Sequence, residues 1–195
     1  MYKVIGSKDT RTARVLWMLE ELGVPYEHVP ARPHSAEAVA ANPTGKVPVL
    51  IDGDARITDS TAIMTYLADK HGKMTAPAGT IARAQQDSMT HFLLDELDAC
   101  LWTATRHAFI LPEEHRLPAI EKPLMWEFSR SEKRLAERMG KHPFVMGDQM
   151  SLPDILAAEC LSWAAGAKFP LTDPGLGAYL TRMQARPAYQ RVKAK

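Results

Sequence analysis

Asp59 and Ser60 stand side by side where a strand-like pattern gives way to a helical one, and together they offer tools for both signs of charge. A hydroxyl and free backbone N–H groups at a helix start favour an anion, whereas a carboxylate favours a cation. Plain helix capping uses the same residue types and is the competing reading. Just upstream, Lys46 carries a cation and Val47-Pro48 opens an apolar strand. A proline there cannot donate to a sheet ladder and leaves the neighbouring Val47 backbone free to pair with something else. Asp52-Gly53 supplies turn residues and Arg56-Ile57-Thr58 a return strand, so residues 41–60 can hold both ends of a small peptide. Near the N-terminus, Ser7, Thr10 and Thr12 place three hydroxyls ahead of the first helical pattern, with the Arg11 guanidinium among them. Hydroxyl donors at a helix N-terminus stabilise negative charge.

These groups need elements to position them. Residues 2–5 alternate and run into Gly6-Ser7, which reads as a strand entering a loop. Val15, Leu16, Met18, Leu19 and Leu22 recur at helical spacing, with Gly23 and Pro25 as a stop. Residues 26–29 read as a second strand, so the chain opens with a βαβ unit whose first two strands are parallel. A ββα tail runs from 47 to about 71. The order βαβ, connecting helix, ββα is the thioredoxin-like arrangement. From about Thr80, Leu93, Leu97, Cys100, Leu101, Ala104 and Ala108 follow a helical repeat, and 124–139, 151–165 and 176–185 add three more helices. Lys73 to Thr80 is small, polar and Pro/Gly-bearing, which reads as a linker. The fold class expected is therefore α/β plus all-α: an N-terminal thioredoxin-like domain over 1–73, then an all-helical C-terminal domain over 80–195. Ser151-Leu-Pro-Asp154 reads as a structural capping box with Asp in place of the usual Glu.

Composition narrows the function classes. The formal charge of +1 over 195 residues argues against a basic stripe for nucleic acid and against a polybasic membrane anchor. The N-terminal residues lack the apolar run of a signal peptide, and the apolar stretch 155–165 is interrupted by Glu159, so a cytoplasmic protein without membrane or nucleic-acid partners is expected. Cys100 and Cys160 lie far apart inside helical patterns and read as buried thiols. Seven histidines show no paired-ligand spacing, so no metal is expected, and no Gly-rich phosphate loop or Gly-x-Ser-x-Gly elbow occurs.

Residues 41–60 resemble the glutathione-binding segment of the glutathione transferase family. The likeness extends to Arg14-Val-Leu-Trp-Met-Leu-Glu-Glu-Leu-Gly-Val-Pro-Tyr-Glu27, to Gly147-Asp-Gln-Met-Ser-Leu-Pro-Asp-Ile155 and to Arg186-Pro-Ala-Tyr189. The resemblance implies a cis bond before Pro48, with the Val47 N–H and C=O pairing with the cysteinyl unit of glutathione. It also implies that Ser60 takes the γ-glutamyl α-carboxylate, Asp59 the ammonium and Lys46 the glycyl carboxylate. Apart from the resemblance, His34 and Arg32, in the loop after the second strand, are further candidates to assist Lys46, with no spacing argument for either. Many relatives carry Glu where this chain has the shorter Asp59. Glutathione is then a co-substrate whose thiol, with a free pKa of about 8.5, must be activated, at about 1.4 kcal/mol per unit of depression. Counting back from Arg14-Val15, which matches relatives that use serine, assigns the catalytic hydroxyl to Thr10, with Ser7 next, Thr12 as a helix cap and Arg11 in support. The loop contains no tyrosine or cysteine, so the implied type is a bacterial cytosolic, hydroxyl-using one. The Ser-Ser-Cys run of the maleylacetoacetate isomerase branch is replaced by Thr10-Arg-Thr12.

A second substrate needs a concave apolar pocket, and domain boundaries commonly supply one. Trp102, Arg106, His107 and Phe109 are the candidates, Trp102 and Arg106 sharing a helix face at a spacing of four. The competing reading makes Trp102 core and His107 surface. The resemblance implies attack of glutathione thiolate on a hydrophobic electrophile or peroxide by a homodimer. Another glutathione-dependent activity of the same fold (isomerase, dehalogenase or disulfide-bond reductase) and a non-catalytic scaffold are the alternatives.

Overall fold

Four short strands, β1 (Tyr2–Ile5), β2 (Tyr26–Val29), β3 (Val49–Asp52) and β4 (Ala55–Thr58), form one sheet in the order β2-β1-β3-β4 in a computed structural model that describes residues 1–195. β1 and β2 are parallel, with Tyr2 opposite Tyr26, and β3 is antiparallel to both of its neighbours. Helix α1 (Thr12–Leu22) connects β1 to β2, α2 (Ala36–Ala41) connects β2 to β3, and α3 (Ser60–His71) follows β4. The thioredoxin-like arrangement expected from the element order is the one observed.

Helix α1 ends as its sequence dictates: Gly23 takes a left-handed φ of 69° and its N–H returns to the Leu19 carbonyl at 3.0 Å. Nearly every side chain of α1 is buried, from Thr12 through Leu19 and again at Leu22. Such all-round burial needs cover on more than one side. One cover is α3, and the other is α9 (Pro187–Lys193). Trp17 meets the Tyr189 ring edge-on at 4.8 Å, and Arg186 grips Glu21 with two bonds of 2.6 and 2.8 Å.

The chain thus divides into two compact units, Met1–Ala78 with Gln184–Lys195, and Gly79–Met183. Nothing in the sequence beyond the helix expected over 176–185 signals this return.

The second unit is all helical. α4 (Ile81–Phe92) passes through a π-helical stretch, Leu93–Asp98, into α5 (Ala99–Thr105), and a second π-helical stretch, Arg106–Ile110, closes the run. α6 (Glu121–Met139), α7 (Leu152–Gly166) and α8 (Pro174–Gln184) follow. α7 is buried along most of its length and packs against α4 and α5. Its start is anchored by Asp154, wholly buried, whose carboxylate accepts the Ser151 N–H at 2.8 Å, the Val145 N–H at 2.9 Å and the Tyr179 hydroxyl at 3.0 Å. Burial pushes this carboxyl above the usual range, and the same hydrogen bonds hold it back. The structural reading of Ser151 and Asp154 is therefore sufficient.

Candidate active site

Strand direction decides which loops meet. Ile5 pairs with Val29 on one side and Val49 on the other, and Val49 pairs with Thr58. The C-terminal ends of β1, β2 and β4 therefore share one edge of the sheet with the N-terminal end of β3. Four segments leave the sheet there: the 6–11 loop, the loop carrying Arg32 and His34, the Val47-Pro48 pair, and Asp59-Ser60.

The 6–11 loop meets the end of β2, the start of α1 and Val47 at Gly6. The Gly6 N–H donates to the Val29 carbonyl at 3.0 Å, and Nε2 of His28 donates to the Gly6 carbonyl at 2.8 Å. A Cβ built on Gly6 would stand 2.1 Å from Thr12 Oγ1 and 3.0 Å from Val47 Cβ, so the strand end, the helix start and Val47 approach over a missing side chain.

The Val47–Pro48 peptide bond is cis. No hydrogen bond within the chain uses the Val47 N–H or C=O. Ser60, the first residue of α3, is 3% exposed, and neither its N–H nor its hydroxyl has a partner in the chain. Asp59 precedes it at φ 69°, an uncommon conformation for a residue with a side chain. Its Oδ1 accepts the Thr61 and Ala62 N–H groups, both at 2.9 Å, while Oδ2 meets no donor of the chain. Capping and cation binding are thus divided between the two oxygens of one carboxylate.

Among the three hydroxyls, Thr10 Oγ1 donates to the Ser7 carbonyl at 2.7 Å, accepts the Thr12 N–H at 3.2 Å and lies 2.9 Å from Thr12 Oγ1. Ser7 Oγ is occupied locally, accepting the Asp9 N–H at 3.2 Å and reaching Asp9 Oδ2 at 3.4 Å. Arg11, not Thr12, occupies the N-cap position of α1 and makes no side-chain cap, so Thr12 is not the cap the sequence led us to expect. Its hydroxyl turns inward to Thr10 because the space beside Gly6 is the room it has.

Lys46 is exposed, and its carbonyl accepts from Asn42 Nδ2 at 3.0 Å. His34, for which sequence spacing gave no support, donates its N–H to the Gly45 carbonyl at 2.8 Å, next to Lys46. Its ring lies over Gly45, where a Cβ would meet Nδ1 at 2.4 Å. Trp102, Arg106 and Phe109 belong to the second unit, on the helical run through α5. Arg106 Nη2 reaches Thr103 Oγ1 at 3.4 Å, and Phe109 is 64% exposed. His107, read as surface, accepts the Leu117 N–H at Nδ1 (3.0 Å) and ties the following turn down. A groove of about 430 Å³ in this unit is lined by other residues, Phe92, Glu96, Arg134, Glu137 and Arg138.

Two family models match the chain, the glutathione S-transferase N-terminal domain over residues 9–76 and the glutathione S-transferase C-terminal domain over residues 102–187. The chain belongs to the glutathione transferase superfamily. A probable glutathione S-transferase of Oryza sativa subsp. japonica is 27% identical, the match covering 98% of this chain and 95% of that one. A glutathione transferase from Methylococcus capsulatus str. bath superposes with a TM-score of 0.85 at 27% identity, over 100% of this chain and 98% of that one. A theta class glutathione S-transferase from Xanthomonas axonopodis pv. citri, solved with glutathione bound, gives 0.78 at 25% identity, over 97% and 95%. The transferase takes glutathione as co-substrate and uses the bound thiolate as nucleophile. No helix is long and apolar enough to cross a membrane.

Proposed function

We propose that this transferase is of the hydroxyl-using type and that the sheet edge just described is its glutathione site. The observation that carries this reading is the set of unmet polar groups. Main-chain N–H and C=O groups are normally paired, yet those of Val47 and the N–H of Ser60 have no partner in the chain, and they stand at one sheet edge. A short extended peptide fits that pattern by pairing with Val47 as an added strand residue. Ser60 takes the α-carboxylate with its N–H and hydroxyl at the start of α3, and Asp59 Oδ2 takes the neighbouring ammonium. Lys46 meets the glycyl carboxylate, with His34 beside it.

The glutathione thiol loses its proton to water, and the Thr10 hydroxyl, keeping its own proton, donates a hydrogen bond to the thiolate. Ser7 is the alternative donor, and Arg11 adds positive charge nearby. The thiolate then attacks a hydrophobic electrophile or a peroxide that contacts Trp102, Arg106 and Phe109. The family resemblance supports a homodimer acting in the cytoplasm, with glutathione held by residues 1–73 and the second substrate met by residues from 80–195.

Calorimetric titration with glutathione, followed by ultraviolet spectra of the bound thiolate across pH, tests the site. A bound thiol pKa below about 7.5, a full unit under its free value, is expected. Binding without a shift would refute thiol activation, and no binding would favour the scaffold reading.

A further inference from the structure

Thr10 has one hydroxyl proton, and its place is determined. A carbonyl oxygen only accepts, so at 2.7 Å from the Ser7 carbonyl it is Thr10 that donates. In the 2.9 Å contact between the two threonine oxygens, the proton must then come from Thr12. The Thr12 N–H, at 3.2 Å, points to the same atom. Thr10 Oγ1 thus gives one hydrogen bond and accepts two, and its capacity is full.

Two consequences follow for thiol activation. Thr10 can reach a thiolate only by releasing the Ser7 carbonyl, which keeps the Thr10 N–H at 3.1 Å as a partner and is not stranded. The two bonds from Thr12 need not break during that turn. An oxygen that accepts hydrogen bonds is polarised into a better donor through its own O–H. Thr12 is suited to this task by its surroundings. It is wholly buried, away from competing water, and it is confined by Gly6, whose φ of 146° and missing Cβ leave room for one oxygen.

We propose that Thr12 is a positioning residue for the reaction: its buried O–H and N–H hold Thr10 Oγ1 as a double acceptor, so that the single Thr10 proton swings from the Ser7 carbonyl to the glutathione thiolate. This inference rests on Thr10 being the thiolate's donor. No proton passes between the threonines.

The test compares the unaltered protein with Thr10→Val, Thr12→Val and Thr12→Ser, reading glutathione affinity by calorimetry and the bound thiol pKa by ultraviolet absorbance across pH. Thr10→Val should raise the pKa most. Thr12→Val should lower the thiolate population at neutral pH about threefold to tenfold, the scale of one polarising hydrogen bond. Its glutathione affinity at a pH where the thiol is protonated should stay within about twofold, since Thr12 does not touch the peptide ends. Thr12→Ser, which keeps the hydroxyl, should restore the original pKa. An unshifted pKa in Thr12→Val alongside a raised one in Thr10→Val overturns the role of Thr12 alone. An unshifted pKa in Thr10→Val removes the Thr10 reading and the inference with it. Should valine crowd Gly6 and prevent folding, Thr12→Ala removes the hydroxyl with no added bulk and is read in the same way.

Discussion

Replacing Gly6 by alanine asks whether the close approach at the sheet edge is real. The φ of 146° is one that residues with side chains rarely adopt, at a cost of about 1–3 kcal/mol. The new methyl would lie 2.1 Å from Thr12 Oγ1 and 3.0 Å from Val47 Cβ. Thr12 is wholly buried, so relief requires a backbone shift or an off-rotamer side chain, about 1–3 kcal/mol more. Loss of unfolded-state freedom on going from glycine to alanine returns about 0.4–1 kcal/mol. The net loss is about 1–6 kcal/mol. Gly53 is the control. Its φ of 59° is also left-handed, but nothing lies within 4 Å of a Cβ placed there. Gly53→Ala therefore carries the backbone cost alone, about 1–2 kcal/mol before the same offset. Urea unfolding followed by circular dichroism should rank Gly6→Ala well below Gly53→Ala, and calorimetry should show glutathione binding weakened in the first variant only. Equal stability of the two variants, with glutathione affinity intact in both, would mean that Thr12 and Val47 do not crowd Gly6 as described.

Ser60→Ala should weaken glutathione about tenfold or more, as expected for a lost hydrogen bond to a charged group, while leaving the bound thiol pKa nearly unchanged. Thr10→Val should do the reverse, and equal effects on both quantities would contradict separate roles. Asp154→Ala strands the buried N–H of Val145 and the partly buried N–H of Ser151, although the Tyr179 hydroxyl keeps the Asp154 carbonyl at 3.2 Å. A loss of about 2–5 kcal/mol in urea unfolding is expected, and a loss under about 1 kcal/mol would show that the carboxylate does not anchor α7. The Cys100 thiol is pushed up to about 11 by burial and by the Glu127 carboxylate 3.8 Å away. At pH 8 only about one thiol in a thousand is ionised. A disulfide reagent should therefore label Cys100 in the native protein no faster than the chain unfolds, and rapid stoichiometric labelling would refute that burial.

Local signals were legible in the sequence because their causes are local. The apolar spacing of α1 and the Gly23 stop, the Asp52-Gly53 turn between β3 and β4, and the Ser151-Asp154 box each depend on residues within a few positions of one another. The adjacency of Asp59 and Ser60, and the missing donor of Pro48, were equally plain. Their meeting at one edge followed once the strand order was known, since direction alone brings those loop ends together.

Side-chain direction and distant packing were a different matter. Thr12 reads as a cap by sequence position, yet its hydroxyl turns to Thr10 because Gly6 leaves a space there. His34 has no spacing relation to Lys46 and joins it through the fold of the intervening loop onto Gly45. The helical repeat over 93–108 hides two π-helical stretches that alter which face each later residue presents. Nor does anything in 12–22 announce that Tyr189 and Arg186 will cover Trp17 and Glu21. Periodicity tells a helix which face to bury, and caps tell it where to stop. What covers that face is chosen by the whole chain's competition for apolar contact, so it is written in no single stretch of residues.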